Sequence, residues 1–266
     1  MKKHLNITFF KSGIHRRYIE VSTVIRAVFF DFGGVLTETC WDLKVMADLI
    51  YKAFKENNIE LPPEFEQVFM KVMEERWIRV LKTQREERLE DILMDILHIL
   101  NIPYNKNAVD LAIDYIMDAP FCIVRKEAKT VLEELRKMGI KMGIISNSPI
   151  AFHERVLAKH GLLEYFDAII VSCEVSYRKP HPKIFEIALE KLGVKASESI
   201  FVGDAPAIDI PGAKKVGMKS VLIKYGDPAI TKVDQYITAS DPIEPDYIIE
   251  NLSEIIDIIR KENKVS

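Results

Sequence analysis

The chain has 266 residues, 48% of them apolar, and a formal net charge of −3. That length and apolar content suffice for one substantial domain, or for a core domain with a smaller partner. The mild acidity excludes the positive excess of a nucleic-acid binder, and no apolar run approaches the roughly 20 residues that span a bilayer. Three scattered cysteines, Cys40, Cys122 and Cys173, show neither metal-ligand spacing nor a disulfide framework. They are expected as small, reduced, buried side chains. The basic N-terminus lacks the long apolar stretch of a secretory signal, because residues 7–10 are too few. Residues 1–24 are therefore read as an extension, and the protein is expected to be cytoplasmic.

Residues 25–30 form a nearly continuous apolar run that ends on Asp31 and the pair Gly33-Gly34. Such a run predicts a strand buried on both faces, as in a parallel sheet. Residues 41–119 then contain no convincing strand. Leu43, Met46, Leu49, Ile50 and Phe54 give one apolar helical face, and Phe65, Val68, Phe69, Val72, Trp77 and Val80 a second. A third runs from Leu89 to Leu100 and a fourth from Val109 to Ile116. These predict a small helical bundle inserted after the first strand, punctuated by Pro62-Pro63 and Pro103. The charge run 85–88 within it is expected to be a solvated face or turn.

Beyond the insertion, short apolar runs recur at 142–145, 168–171, 200–202 and 220–223. Helical patterns lie between or after them at 128–138, 184–192, 211–216 and 252–259, the first three stopped by Gly139, Gly193 and Gly217. Strand and helix in alternation predict an α/β fold: a parallel, Rossmann-like sheet flanked by helices, with the helical bundle as an inserted cap. The core comprises 25–40 and 120–266, and the cap 41–119.

In an open parallel sheet, ligands bind beyond the carboxyl ends of the strands. Asp31, Ser146 and Asp204 follow predicted strands, Lys179 precedes a predicted helix, and Asp209 opens another. Each alone could be a helix cap or a solvated charge. Their shared position makes independent capping a poor explanation. A carboxylate can act as a nucleophile, a divalent cation relieves the like-charge repulsion of attack on a phosphate dianion, and Mg²⁺ takes oxygen ligands. Asp31 and Asp204 supply such ligands, with Asp209 in a supporting position or acting through a water. Ser146 can donate a hydrogen bond, and Lys179 a positive charge, to the transferring group.

In these residues the sequence resembles the haloacid dehalogenase-like hydrolases. The matching motifs are Asp31-Phe32-Gly33-Gly34-Val35-Leu36, Ile145-Ser146-Asn147, Arg178-Lys179-Pro180-His181-Pro182, and Val202-Gly203-Asp204 with Asp209-Ile210 and Gly212-Ala213. Each is short, but four in order are specific. The resemblance implies that Asp31 is the nucleophile, and that Ser146, Asn147 and Lys179 hold the phosphoryl group. It further implies that Asp31, Asp204 and the Gly33 backbone carbonyl ligate Mg²⁺, with Asp209 in support. The implied partner is a small phosphorylated substrate.

One position departs from the pattern. Phosphatases of this family usually carry a second Asp two residues after the nucleophile, where this chain has Gly33. General acid–base help is worth about 10²–10⁴-fold. Three readings follow: a metal-dependent phosphatase compensated elsewhere, an impaired member that binds a phosphorylated ligand or a protein, and a metal-independent 2-haloacid dehalogenase. The last has no use for Asp204 and Asp209. Among the remaining polar residues, His98 is expected at a core or boundary position, His153 and His160 on a helix surface, His181 in a turn, and Arg178 in solvent. Trp41 and Trp77 are expected in cap packing.

Overall fold

The computed structural model describes residues 24–38, 42–120, 122–225 and 243–264. The expected N-terminal extension, apart from Val24, lies outside the described residues, as do Cys40 and Trp41. Among the described residues, six strands form one parallel sheet: β1 (Ala27–Phe30), β2 (Lys141–Ser146), β3 (Ala168–Val171), β4 (Ser199–Gly203), β5 (Lys219–Ile223) and β6 (Tyr247–Ile249). Their order is β3-β2-β1-β4-β5-β6. The chain works outward on one side of β1, then returns to build the other. Phe30 pairs with Ile144 of β2 and with Val202 of β4, so these strands end level with one another.

Side chains alternate across a strand, and both faces of this sheet are covered. Val28, Phe30, Met142, Ile144 and Val202 join one core, shared with α5 (Ala128–Lys137) and α10 (Glu254–Lys264). Ala27, Phe29, Ile145, Ile170 and Phe201 join the other, under α8 (Pro182–Leu192) and α9 (Asp209–Val216). The three predicted stop glycines all take positive φ. The sequence reading missed β6, which is three residues long, with Ile248 half exposed. Two short helices complete the core, α6 (His153–Lys159) and α7 (Ser172–Val175).

The four predicted insertion helices are present: α1 (Leu43–Glu56), α2 (Phe65–Thr83), α3 (Leu89–Ile99) and α4 (Lys106–Asp118). The Asp42 carboxylate caps α1 by accepting from the Lys44 and Val45 amides, and Asn105 caps α4. The two chain passages that join the insertion to the sheet pair with each other. Glu38 N donates to Ile123 O at 2.8 Å, and Arg125 N to Leu36 O at 3.0 Å. Among the described residues, no helix is long and apolar enough to cross a membrane.

Two sequence expectations do not hold in the structure. The run 85–88 is not simply solvated, because the Glu86 side chain is wholly buried. It pairs with the buried Arg76 of α2, and Arg178 Nη1 lies 3.2 Å from its Oε2. Main-chain bonds fasten the same segment to the core: Glu86 N donates to Ser176 O at 3.2 Å, Arg178 N to Gln84 O at 3.2 Å, and Leu89 N to Pro149 O at 2.9 Å. Cys122 is disulfide-bonded, so the three cysteines are not all free thiols; Cys173 is free. Pairing follows tertiary proximity, which scattered positions do not reveal. Removing one partner of a buried ion pair costs about 3–5 kcal/mol. Glu86→Ala is expected to lower Tm by at least about 6 °C, measured by calorimetry; a Tm within a degree of wild type would contradict this role.

Candidate active site

The order of strands reverses between β1 and β4, and a crevice at that point is where such sheets bind ligands. Asp31 is the first residue past β1, and its amide extends the ladder by donating to Val202 O at 2.9 Å. Its Oδ1 accepts from Phe32 N at 2.7 Å, and its Oδ2 lies 2.8 Å from Lys179 Nζ. The same ammonium lies 2.9 Å from Asp209 Oδ1. Lys179 and Asp209 are fully buried, while the Asp31 side chain keeps 15% exposure toward the crevice. Asn147 fixes the lysine backbone from both sides. Its Nδ2 donates to Lys179 O at 3.0 Å, and Lys179 N donates to its Oδ1 at 2.8 Å.

Two glycines make room for two carboxylates. Gly34 has φ +79°, and a Cβ there would stand 1.8 Å from Asp204 Oδ2. A Cβ on Gly203 would stand 2.3 Å from Asp209 Oδ2, the oxygen that accepts from Ala205 N at 3.0 Å. Gly33, in contrast, faces open space, with nothing within 4 Å of the place a Cβ would take.

One carboxylate oxygen from each of Asp31, Asp204 and Asp209 falls within a cluster 4.8 Å across. Three carboxylates share one ammonium. Burial, followed by the charge of Asp209, raises the Asp31 pKa to about 6 against the pull of Lys179. Burial, Asp31 and Asp209 together raise Asp204 to about 8. Burial by itself would discharge the Lys179 ammonium, but Asp209 and Asp31 outweigh it and hold its pKa above the ordinary lysine value. Hard oxygen donors with surplus negative charge fit a small divalent cation.

A family model for haloacid dehalogenase-like hydrolases matches residues 25–217. The chain belongs to that family. It is 32% identical, over 90% of its length and 96% of the relative's, to the glyceraldehyde 3-phosphate phosphatase of Pyrococcus abyssi. It is 28% identical to the phosphoglycolate phosphatase of Vibrio parahaemolyticus, over 88% of this chain and 96% of that one. Its structure resembles that of a HAD phosphatase from Thermococcus onnurineus, with a TM-score of 0.56 and 26% identity over 88% of this chain and 98% of the other.

Several other polar residues of this hydrolase depart from their sequence expectations. His153 is not on the surface: it is 1% exposed, between Phe152 and Phe32, with ring centroids 4.6 Å away in each case. Neither ring nitrogen has a hydrogen-bond partner, and burial, aided by Lys179, pushes its pKa down to about 3. At neutral pH it is an uncharged packing group beside the loop that follows β1. Arg178 is buried rather than solvated. His98 is exposed rather than at a core or boundary position, whereas His160 is exposed as expected and His181 sits in the turn before α8, capping it by accepting from Lys183 N at 3.1 Å. Trp77 is half buried, against the Arg178 guanidinium, and it lines a cavity rather than packing wholly within the insertion.

The raised carboxylates give a stability signature. A carboxyl with folded pKa above its unfolded value destabilises the fold as it ionises, so stability falls as pH rises from about 4 toward the folded pKa. Without divalent cations, Tm is expected to drop between pH 6 and pH 8. Asp204→Asn should flatten that slope, and raise Tm at pH 8 by about 2–8 °C for ~1–2 kcal/mol. It should also abolish any stabilisation that Mg²⁺ gives the wild type. An unchanged slope in Asp204→Asn, by calorimetry in chelator, would contradict the assignment.

Proposed function

We propose that this hydrolase is a Mg²⁺-dependent phosphatase for a small phosphorylated metabolite, working through an aspartyl-phosphate on Asp31. The observation that carries the reading is the ion pair between the partly exposed Asp31 Oδ2 and the buried Lys179, with Asp204 and Asp209 beside them. Phosphatases among the relatives support it.

In this reading Lys179 orients the Asp31 carboxylate, and its positive charge draws in the phosphoryl oxygens. Ser146, at the end of β2, donates a hydrogen bond to the same group. Asn147 acts mainly by holding the Lys179 backbone in place. Asp31, Asp204 and the Gly33 carbonyl hold the cation, with Asp209 in support. When bound, the cation offsets the repulsion between Asp31 and a phosphate dianion and polarises the phosphoryl oxygens. Helices α1–α4 form the cap, residues 41–119, over a core of 25–40 and 120–266. Against the dehalogenase reading, two glycines are committed to accommodating Asp204 and Asp209, which that chemistry would not require.

Gly33 offers no side chain to protonate a leaving group, so turnover depends on the leaving group's own acidity or on water. Esters with acidic alcohols should therefore be hydrolysed fastest. Asp31→Asn should reduce Mg²⁺-dependent phosphate release to background across a panel of sugar phosphates and a chromogenic ester. No release from any ester by the wild type would leave the binding-protein reading standing. Gly33→Asp has space for its side chain and should raise kcat on alkyl phosphates by at least about tenfold, the lower part of what general acid–base groups supply. An unchanged or lower rate would mean that a substitute group is already present.

A further inference from the structure

Between the insertion and the loops that follow β2 and β3 lies a cavity of about 610 Å³. That is within the range of small-molecule sites, about 300–1,000 Å³. Leu43, Met70, Met73 and Trp77 of the insertion and Pro149 of the core give it an apolar lining. Asn147 and Arg178 line it too, and each is the chain neighbour of a reaction-site residue, Ser146 and Lys179. The cavity therefore adjoins the place where a leaving group would project from a phosphoryl group at Asp31.

Arg76 and Arg178 both line this cavity, and both are 2% exposed. They share one buried carboxylate, Glu86. Glu86 is fully engaged: Ser172 Oγ donates to its Oε2 at 2.6 Å, and Glu87 N to its Oε1 at 3.2 Å. Glu87 is occupied by two hydrogen bonds from Arg79, at 2.5 and 2.6 Å. Nε of Arg76 and Nε of Arg178 have no hydrogen-bond partner. On the same wall, the exposed Lys71 pairs with Glu75 at 3.9 Å, and Glu74 is exposed. Two buried guanidiniums meet one buried carboxylate, and the next carboxylate, Glu87, is part-exposed and paired with Arg79, so one buried positive charge lacks a buried counter-charge beside an apolar cavity. Such an imbalance is costly, and proteins keep local faults of this kind chiefly where function uses them.

We propose that the cavity receives the leaving-group half of the substrate, and that this half carries a second anion recognised by Arg76 and Arg178. The anion sits on an apolar or aromatic frame packed against Trp77. The placement rests on the phosphatase reading, which puts the phosphoryl group at Asp31. A carboxylate and a second phosphate share the required chemistry, since both match the planar donor fork of arginine.

Three phosphonates test this by isothermal titration at saturating Mg²⁺: para-carboxyphenylphosphonate, its carboxamide, and para-phenylene diphosphonate. Wild type is expected to bind the carboxylate or the diphosphonate at least about tenfold tighter than the amide, or about 1.4 kcal/mol. The tighter of the two identifies the anion. Arg76→Met should reduce the preference to less than about threefold, and Arg76→Lys, which keeps the charge, should retain most of it. Equal binding of acid and amide by wild type overturns the inference, as does a preference that survives in Arg76→Met. Should Arg76→Met fail to fold, the wild-type comparison decides alone. Hydrolysis of the matching phosphate esters is followed separately. Turnover with no preference for the acid in binding or rate overturns only this inference. A preference in binding with no ester hydrolysed overturns the phosphatase reading and leaves anion recognition intact.

Discussion

The Lys179 ammonium, buried between Asp31 and Asp209, is the interaction on which the rest of the site depends. A lysine so enclosed stays charged only because two carboxylates outweigh the cost of burial. The geometry that allows this is drawn from separate parts of the chain. β1 delivers Asp31, and the loop before α8 delivers Lys179. Asn147, just past β2, clamps the lysine backbone, and the first turn of α9 delivers Asp209. Gly203 lets that helix approach the end of β4 closely enough. Withdrawing either carboxylate would leave less to hold a charge in a low dielectric, so the four elements are locked together energetically as well as sterically.

The same arrangement leaves a surplus of negative charge. Among the described residues Asp204 forms no salt bridge, and its raised pKa records the cost. The metal-free fold is strained electrostatically at the place where a divalent cation would relieve it. Stability is given up locally at a cluster whose oxygen donors fit a divalent cation.

Much of this was legible in the sequence, for a physical reason. Strands buried on both faces read as continuous apolar runs, and the residues immediately after them project at the carboxyl edge of the sheet, so Asp31, Ser146 and Asp204 could be assigned from order alone. The insertion helices were equally legible, because each carries a one-sided apolar stripe. What escaped were buried charges whose partners are remote in sequence. Glu86 sits in a polar run that looks solvated, yet its neighbours include Ser172 and Arg178, 86 and 92 residues away. Arg178 looked solvated for the same reason, and so did His153, buried only because Phe32 folds back onto α6. No local pattern encodes such contacts. The bond made by Cys122 was missed on similar grounds.

In the proposed reaction, Asp31 attacks the phosphoryl group and is itself phosphorylated. The most direct test is to quench the wild-type enzyme during turnover of an ester with Mg²⁺, reduce with borohydride and map the peptides by mass spectrometry. An acyl phosphate at residue 31 would be converted to homoserine, and that conversion is expected at Asp31 only when substrate is present. Phosphate release with residue 31 unmodified throughout, or modification at Asp204 or Asp209 instead, would contradict it.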